Sequence, residues 1–170
     1  LQDIPDNSHI LISVPQPNCA DIPKKFNDIL DISSAKNLSI HLDLAWWCIS
    51  KGLQLDLTNK NIVSLATSLS KPFALEQNRI GIRFNRYNVD DSITIQNKRK
   101  MIPRACFEIG LSYLQQNNLN DVWNKYNKIY YETCKITRMK PTSIYFLAGQ
   151  LGKGNTTINL ALEKMMYYGS

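Results

Sequence analysis

Residues 40–50 have the sequence IHLDLAWWCIS, a run that is apolar nearly all round and carries Trp46 and Trp47. A helix with apolar side chains on every face usually lies at the centre of a core. Gly52 follows the run and supplies a helix stop. The run therefore predicts a buried central helix, around which the rest of the chain packs.

The sequence before this run predicts one further helix. Residues 1–20 are expected to form an irregular N-terminal arm with a short strand at residues 9–14, which Pro15 and Pro17 end because proline cannot donate to a ladder. Asp21 is a typical helix cap, and Pro23 falls in the first turn, where proline is tolerated. An apolar stripe at helical spacing then follows.

The sequence after the run predicts more helices. Thr58 caps the first of them. After Pro103 the helical period returns in two longer helices, the second of which ends near Arg138. Two shorter helices, at about residues 142–150 and 155–168, end the chain.

Between these helices the period of the pattern changes. The predicted helix that begins at Thr58 ends at Lys71-Pro72, because the residue preceding a proline is pushed out of the helical conformation. Apolar and polar residues then alternate over residues 79–84 and again over residues 92–96, with a polar segment between them, and this pattern is typical of a β-hairpin with one buried face. The whole chain therefore predicts a mainly α fold: a single domain, residues 1–170, of six or seven helices with one small hairpin.

The last pair of helices, residues 142–168, carries a motif. Residues 143–165, SIYFLAGQLGKGNTTINLALEKM, resemble a helix-turn-helix, in which Ala148 lets two helices approach closely and Gly152 takes the left-handed turn conformation. The resemblance implies that the second helix contacts bases or phosphates in the major groove of DNA. Its contacting residues would be Asn155, Thr156, Thr157, Asn159 and Lys164. The alternative is an ordinary pair of packed helices with a glycine turn.

Charge is distributed unevenly along the chain, whose formal net charge is +6. Residues 1–60 hold seven Asp and five Lys, whereas residues 61–170 hold fifteen Lys or Arg and seven acidic residues. A basic half favours a polyanionic partner. The acidic residues 1–60 also favour a homo-oligomer, in which they contact the basic residues 79–140 of a neighbouring copy.

The basic residues concentrate around the predicted hairpin. Cationic groups neutralise phosphates and release counterions, so we expect phosphate contacts there. Lys125 and Lys128, three residues apart on one side of a helix, would add to that surface. The alternative is a solvated basic face. The residues around the hairpin are Arg79, Arg83, Arg86, Lys98, Arg99, Lys100 and Arg104.

These patterns favour a non-enzymatic nucleic-acid-binding domain. One form is a helix-turn-helix protein that binds DNA, and the other is a viral nucleocapsid-like or coat-like subunit that binds RNA as an oligomer. The alternative is a protein-protein interaction or structural helical domain with a basic surface.

Other classes find little support in the sequence. No stretch approaches the roughly 20 apolar residues that a membrane span needs. The two histidines, His9 and His41, belong to no catalytic or metal-binding signature, so we expect no enzyme, no catalytic residue, no cofactor and no metal. Four scattered cysteines favour free thiols in a reducing intracellular compartment, namely cytoplasm, nucleus or virion. They are Cys19, Cys48, Cys106 and Cys134.

Overall fold

The computed structural model describes residues 3–73, 75–145, 148–150 and 157–159. The strands are β1 (His9–Ser13), β2 (Ser39–Asp43), β3 (Ile62–Ser68), β4 (Gly81–Asn85), β5 (Lys140–Pro141), β6 (Ala148–Gln150) and β7 (Thr157–Asn159). The helices are α1 (Phe26–Ser33), α2 (Ser70–Phe73), α3 (Ser92–Lys98), α4 (Arg104–Gln116) and α5 (Asp121–Ile136). Short 3-10 turns cover Trp47–Ile49 and Glu76–Asn78. The prediction of a mainly α fold is wrong, because a mixed sheet organises the described part of the chain.

This sheet has four strands in the order β1-β2-β3-β4. Strands β1, β2 and β3 run parallel, and β4 runs antiparallel to β3. The carboxyl ends of the three parallel strands therefore meet at one edge, and the amino end of β4 lies at that same edge.

The predicted central helix at residues 40–50 is wrong, because the run begins inside β2. Ile40 and Leu42 are buried, whereas His41 and Asp43 are half-buried, which is the two-residue period of a strand. With a parallel partner on either side, β2 is central to the sheet. A short apolar run cannot be assigned to strand or helix by periodicity alone, and here tertiary pairing decides.

The helix predicted from Thr58 is also wrong, because residues 62–68 form β3. Ile62, Val63 and Thr67 are β-branched and suit a pleated surface better than a helix. The pairing of β3 with β2 is irregular, with a shift in register between Ile40 and His41.

The predicted hairpin at residues 79–96 exists only in its first half. β4 pairs with β3 rather than with the residues that follow it. Residues 92–98 are instead the helix α3, whose cap is Asp91: the carboxylate Oδ1 accepts a hydrogen bond from the backbone N–H of Thr94 at 2.9 Å. An N-cap of this kind stabilises the first turn and here overrides the alternating pattern.

Other elements lie where the sequence predicted them. The strand in the N-terminal arm is β1, the helix after Pro23 is α1, and the two longer helices after Pro103 are α4 and α5. The predicted start of α1 is wrong, because the helix begins at Phe26 with Lys25 at its N-cap, beyond Asp21 and Pro23. The long stripes of α4 and α5 give a stronger periodic signal than the short elements around the sheet.

Two apolar clusters hold these elements together. The first lies between one face of the sheet and α1, and includes Phe26, Ile40 and Leu42. The second packs α5 against the segment after β2 and includes Tyr130, with Ile49 beside it. The backbone N–H of Tyr145 donates to the carbonyl of Ile49 at 3.0 Å, which ties residues 143–145 to that segment. Burial raises the pKa of Tyr145 to about 12.

The described helices are all too short or too polar to cross a lipid bilayer.

Candidate functional site

The edge where the parallel strands end collects polar side chains. Ser13 ends β1, Asp43 ends β2 and Ser68 ends β3. Gly81, the first residue of β4, pairs with Ser68. In open α/β sheets ligands bind outside the carboxyl ends of the strands, so this edge is the candidate ligand-binding site.

Asp43 is held in a fixed position at this edge. The hydroxyl of Ser13 donates to Oδ2 at 3.2 Å, and the backbone N–H of Ala45 donates to Oδ1 at 3.0 Å. A carboxylate has about four acceptor positions. These two hydrogen bonds orient Asp43 and leave it able to accept another donor.

The segment that follows β3 presents a serine and a lysine. The hydroxyl of Ser68 accepts a hydrogen bond from the backbone N–H of Ser70 at 3.1 Å, and the chain then enters the single turn of α2. Lys71 lies in this turn, with its Nζ 4.9 Å from the centroid of the Trp46 ring. An ammonium over an aromatic face is attracted by the ring quadrupole, so Trp46 helps to fix the amine of Lys71 at this edge.

Arg79 reaches the same edge from the loop before β4. Its backbone has φ +48, in the left-handed region, which costs a non-glycine residue about 1–3 kcal/mol. The loop is held by a hydrogen bond from the N–H of Leu69 to the carbonyl of Ile80 at 3.1 Å. At Gly81 a Cβ would lie 2.5 Å from the carbonyl oxygen of Thr67, so this close approach requires glycine.

These residues line a cleft of about 320 Å³. It holds two cations, Lys71 and Arg79, and the hydroxyls of Ser68 and Ser70. Within residues 3–73 and 75–145, neither cation takes part in an ion pair. The two cations outnumber the one carboxylate of the lining, that of Glu76, and together with the hydroxyl donors they favour an anionic ligand, and a phosphate in particular. The remaining lining residues are Ala45, Glu76, Ile80 and Gly81.

A second, larger cleft continues from the first. It has a volume of about 870 Å³ and shares Arg79, Ile80 and Gly81 with the smaller cleft. Its walls come from β4, α3 and α4, and apolar side chains such as Phe107 contribute to them.

The predicted phosphate-contacting residues are mostly engaged within the protein. Arg83 makes a two-pronged ion pair with Asp91, at 2.6 and 3.0 Å, and also donates to the hydroxyl of Thr94 at 3.1 Å. This hydrogen-bonded pairing raises the pKa of Arg83 and holds the pKa of Asp91 well below its usual value. Arg83 therefore holds α3 against β4.

Arg86 has an equally structural role. Its guanidinium donates to three backbone carbonyls, those of Ile62 at 2.9 Å, Leu57 at 2.8 Å and Asn59 at 3.2 Å. These bonds fasten the loop before β3 to the end of β4.

The other predicted cations are dispersed. Lys98 pairs with Asp90 at 3.0 Å, and Arg104 pairs with Glu108 at 2.6 Å. Lys125 lies over the ring of Tyr126, 5.1 Å from its centroid, on α5. The exposed side chains of Arg99, Lys100 and Lys128 complete the set. Of the nine predicted cations, the structure brings only Arg79 to the carboxyl edge.

The segment with the helix-turn-helix resemblance is described only in part. Residues 148–150 and 157–159, which were expected in its two helices, are the strands β6 and β7, and they pair antiparallel with each other. The proposed contact residues Thr157 and Asn159 lie in β7. Asn155, Thr156 and Lys164 lie outside the described residues.

Sequence reasoning missed most of the candidate site. Asp43 fell within the predicted central helix and was given no role, and Lys71 was interpreted only as the end of a helix. The signal was present in the run Ser68-Leu69-Ser70-Lys71, which is followed closely by Arg79. Hydroxyls and cations this dense around a strand end indicate an anion site, once the strand is recognised.

Comparisons with known proteins agree with an α/β fold. No protein-family model matches the chain, and no curated protein matches it. Among solved structures the chain is similar to the crystal structure of Bna3p from Saccharomyces cerevisiae, described as "a Putative Kynurenine Aminotransferase". The similarity has a TM-score of 0.54 at 14% sequence identity, and it covers 84% of this chain and 38% of Bna3p. At this identity the comparison concerns the fold alone.

The interpretation as a nucleic-acid-binding domain is wrong. The described part of the chain is built on a mixed sheet and is similar to Bna3p in fold, whereas both forms of this interpretation required a mainly helical domain. Four of the nine basic residues that suggested phosphate contacts, Arg83, Arg86, Lys98 and Arg104, are paired with the protein's own carboxylates or carbonyls. The alternative of a helical interaction domain fails on the same fold. In the described part of the chain, no group of three or more His, Cys, Asp or Glu side chains is placed to hold a metal.

Proposed function

We propose that the chain carries the pyridoxal phosphate-binding part of an aminotransferase-like enzyme. The observation that carries the proposal is that Lys71 and Arg79 line one cleft at the carboxyl edge of an α/β sheet, where Asp43 ends the neighbouring strand β2. When bound, this cofactor supplies an electron sink that stabilises a carbanion.

The residues at the edge fit the chemical groups of that cofactor. A lysine amine can hold a carbonyl carbon covalently, and Lys71 is the lysine of the cleft. An aspartate is a recurrent partner of the pyridine nitrogen, and Asp43 keeps acceptor positions free. Arg79 has the planar fork that suits a phosphate, with the serine hydroxyls of the cleft beside it.

The similarity to Bna3p supports the same function from the fold. The chain covers 38% of the length of Bna3p, so the proposal is limited to cofactor binding and does not extend to a whole aminotransferase activity. The proposal departs from the expectation that the chain is not an enzyme, which the fold alone does not test.

The first experiment asks whether Lys71 holds the cofactor. The protein is incubated with pyridoxal phosphate, reduced with borohydride and digested, and the modified peptide is identified by mass spectrometry. We expect one pyridoxyl group, on Lys71, and its loss in Lys71→Arg, which keeps the charge but cannot hold the carbonyl carbon. Lys24→Arg is the matched control, because Lys24 is exposed and far in sequence from the cleft. Labelling spread evenly over many lysines would refute the proposal.

The second experiment isolates the phosphate. The affinities for pyridoxal phosphate and for pyridoxal are compared in the protein and in Arg79→Gln. Hydrogen bonds to charged groups contribute about 1.5–3 kcal/mol, so we expect Arg79→Gln to lose about 10- to 100-fold in affinity for pyridoxal phosphate and little for pyridoxal. Arg99→Gln, which removes an exposed arginine, should leave both affinities unchanged.

We also propose, as separate points, a reducing intracellular compartment and self-association. The compartment is supported by four free cysteines in the described residues, of which Cys134 is buried. Self-association is supported by the charge asymmetry between residues 1–60 and 79–140. Sedimentation at two salt concentrations tests the second point, since contacts between exposed charges weaken with salt.

A further inference from the structure

The two histidines of the chain meet on the sheet, away from the cleft. His9 begins β1 and His41 lies in β2, and their ring nitrogens, Nδ1 of His9 and Nε2 of His41, are 3.0 Å apart. The rings are stacked, with an interplanar angle of 24°. A second bond joins Nδ1 of His41 to the hydroxyl of Ser64 in β3 at 2.7 Å. The three side chains thus form one row across three neighbouring strands.

The face that carries this row is open to solvent. Leu11 is the register partner of His41, and it is 74% exposed. Ile40 and Leu42, which flank His41 in β2, point to the opposite face and are buried in the core. A soluble ion can therefore reach the histidine pair without any rearrangement of the fold.

We propose that His9 and His41 form a two-nitrogen binding site for Cu²⁺ or Ni²⁺, whose remaining ligands come from solvent. Two nitrogens that each lie about 2.1 Å from a metal are about 3.0 Å apart when the N–metal–N angle is a right angle. When that angle is tetrahedral, the two nitrogens are about 3.4 Å apart. The two rings are hydrogen-bonded to each other at 3.0 Å, and this separation matches the value for a right angle. Square-planar and tetragonal nitrogen sites are typical of Cu²⁺ and Ni²⁺.

Ser64 supplies the support that a ligating histidine needs. Metal-bound histidines donate their second ring N–H to a fixed acceptor, which sets the tautomer. In the tautomer that binds a metal, Nδ1–H of His41 donates to the hydroxyl of Ser64, and the lone pair of Nε2 faces His9.

The pairing is also pre-organised by the backbone. Parallel pairing of β1 and β2 fixes His9 opposite Ser39 and Leu11 opposite His41, so the two rings approach along a diagonal. Ligands held on a sheet lose little freedom on binding a metal, which favours affinity. The site does not depend on the proposed cofactor cleft.

The test is a titration with Cu²⁺, followed by calorimetry and by electron paramagnetic resonance. We expect one equivalent to bind with hyperfine coupling from two imidazole nitrogens. His9→Gln, at an exposed position that does not endanger folding, should weaken binding at least 10-fold and reduce the coupling to one nitrogen. Ser64→Ala should weaken it about 10-fold, as the loss of a supporting hydrogen bond does at other metal sites.

The double variant His9→Gln/His41→Gln is the decisive control, because the chain contains only two histidines. Copper bound by cysteine thiols would persist in this histidine-free variant with unchanged affinity, and that outcome would overturn the proposal. The absence of any binding to the unmodified protein would also overturn it, and would leave His9 and His41 as a hydrogen-bonded pair only.

Discussion

The carboxyl edge of the sheet and the basic segment, residues 83–104, both carry cations, but they use them differently. At the edge, Lys71 and Arg79 line a cleft and form no ion pair with described residues. In the basic segment, Arg83 is bound to Asp91, and Arg86 to backbone carbonyls. The number of cations in a segment thus does not indicate whether the segment binds an anion. What indicates it is whether those cations are already bound to groups of the protein.

The largest effect should come from Gly81→Val, at the junction of these two regions. A Cβ at this position would lie 2.5 Å from the carbonyl oxygen of Thr67, so β3 and β4 cannot keep their pairing. We expect the free energy of unfolding to fall by about 3 kcal/mol, measured by urea denaturation. Gly52→Ala is the control, because no atom lies within 4 Å of its Cβ and only its φ of +74 is strained, at about 1 kcal/mol. Equal losses in the two variants would argue against the close approach.

A slightly smaller effect should follow Arg86→Met. This change removes three hydrogen bonds to carbonyls of the loop before β3, and we expect a loss of about 2 kcal/mol in the free energy of unfolding. Labelling of Lys71 by pyridoxal phosphate should persist. If Arg86→Met instead kept full stability and lost a ligand, the contrast between the two regions would be wrong.

Asp91→Asn tests the ion pair within the basic segment through its pH dependence. The folded pKa of Asp91 is lowered, so its stabilisation is present above the ordinary value of 3.8 and is lost as the pH falls through the folded pKa. We expect the unmodified protein to lose more stability than Asp91→Asn as the pH falls below 3.8. Asparagine caps a helix as well as aspartate does, so the variant removes the charge and keeps the cap of α3. Parallel pH profiles would show that the pair contributes nothing.

The smallest effect should come from Lys98→Gln. The Lys98 and Asp90 side chains are 67% and 79% exposed, and solvent screens such a pair. We expect a change of less than about 0.5 kcal/mol, which salt removes entirely. A larger change in low salt would mean that this pair resembles the one at Arg83.

The sequence predicted long elements well and the sheet poorly. The stripes of α4 and α5 extend over several turns, so their period is unambiguous. The five residues of β2 are too few to distinguish a strand from a helix, and parallel strands that are buried lack clear alternation. Because β2 was assigned to a helix, the predicted fold class was also wrong.

The candidate site could not be predicted while the sheet was missed. Asp43 and Lys71 are far apart in sequence, and only parallel pairing of β2 with β3 brings their strand ends to one edge. Arg79 was recognised as a phosphate-binding candidate from its charge alone, but its neighbours in the prediction were Arg83 and Arg86. Arg83 and Arg86 form hydrogen bonds with other groups of the protein, and the amino-acid sequence alone does not reveal such contacts.

The strand order has a consequence for how fast the protein folds. β3 and β4 are joined by a short connection, so that Ser68 pairs with Gly81, whereas β1 and β2 pair residues as far apart as His9 and Ser39. Closing longer loops costs more entropy before any contact is gained, and such topologies fold more slowly. We expect the β3-β4 pair to form early and β1 to dock late. Accordingly, Ile12→Val should mainly speed unfolding, whereas Ile82→Val should mainly slow folding in stopped-flow measurements.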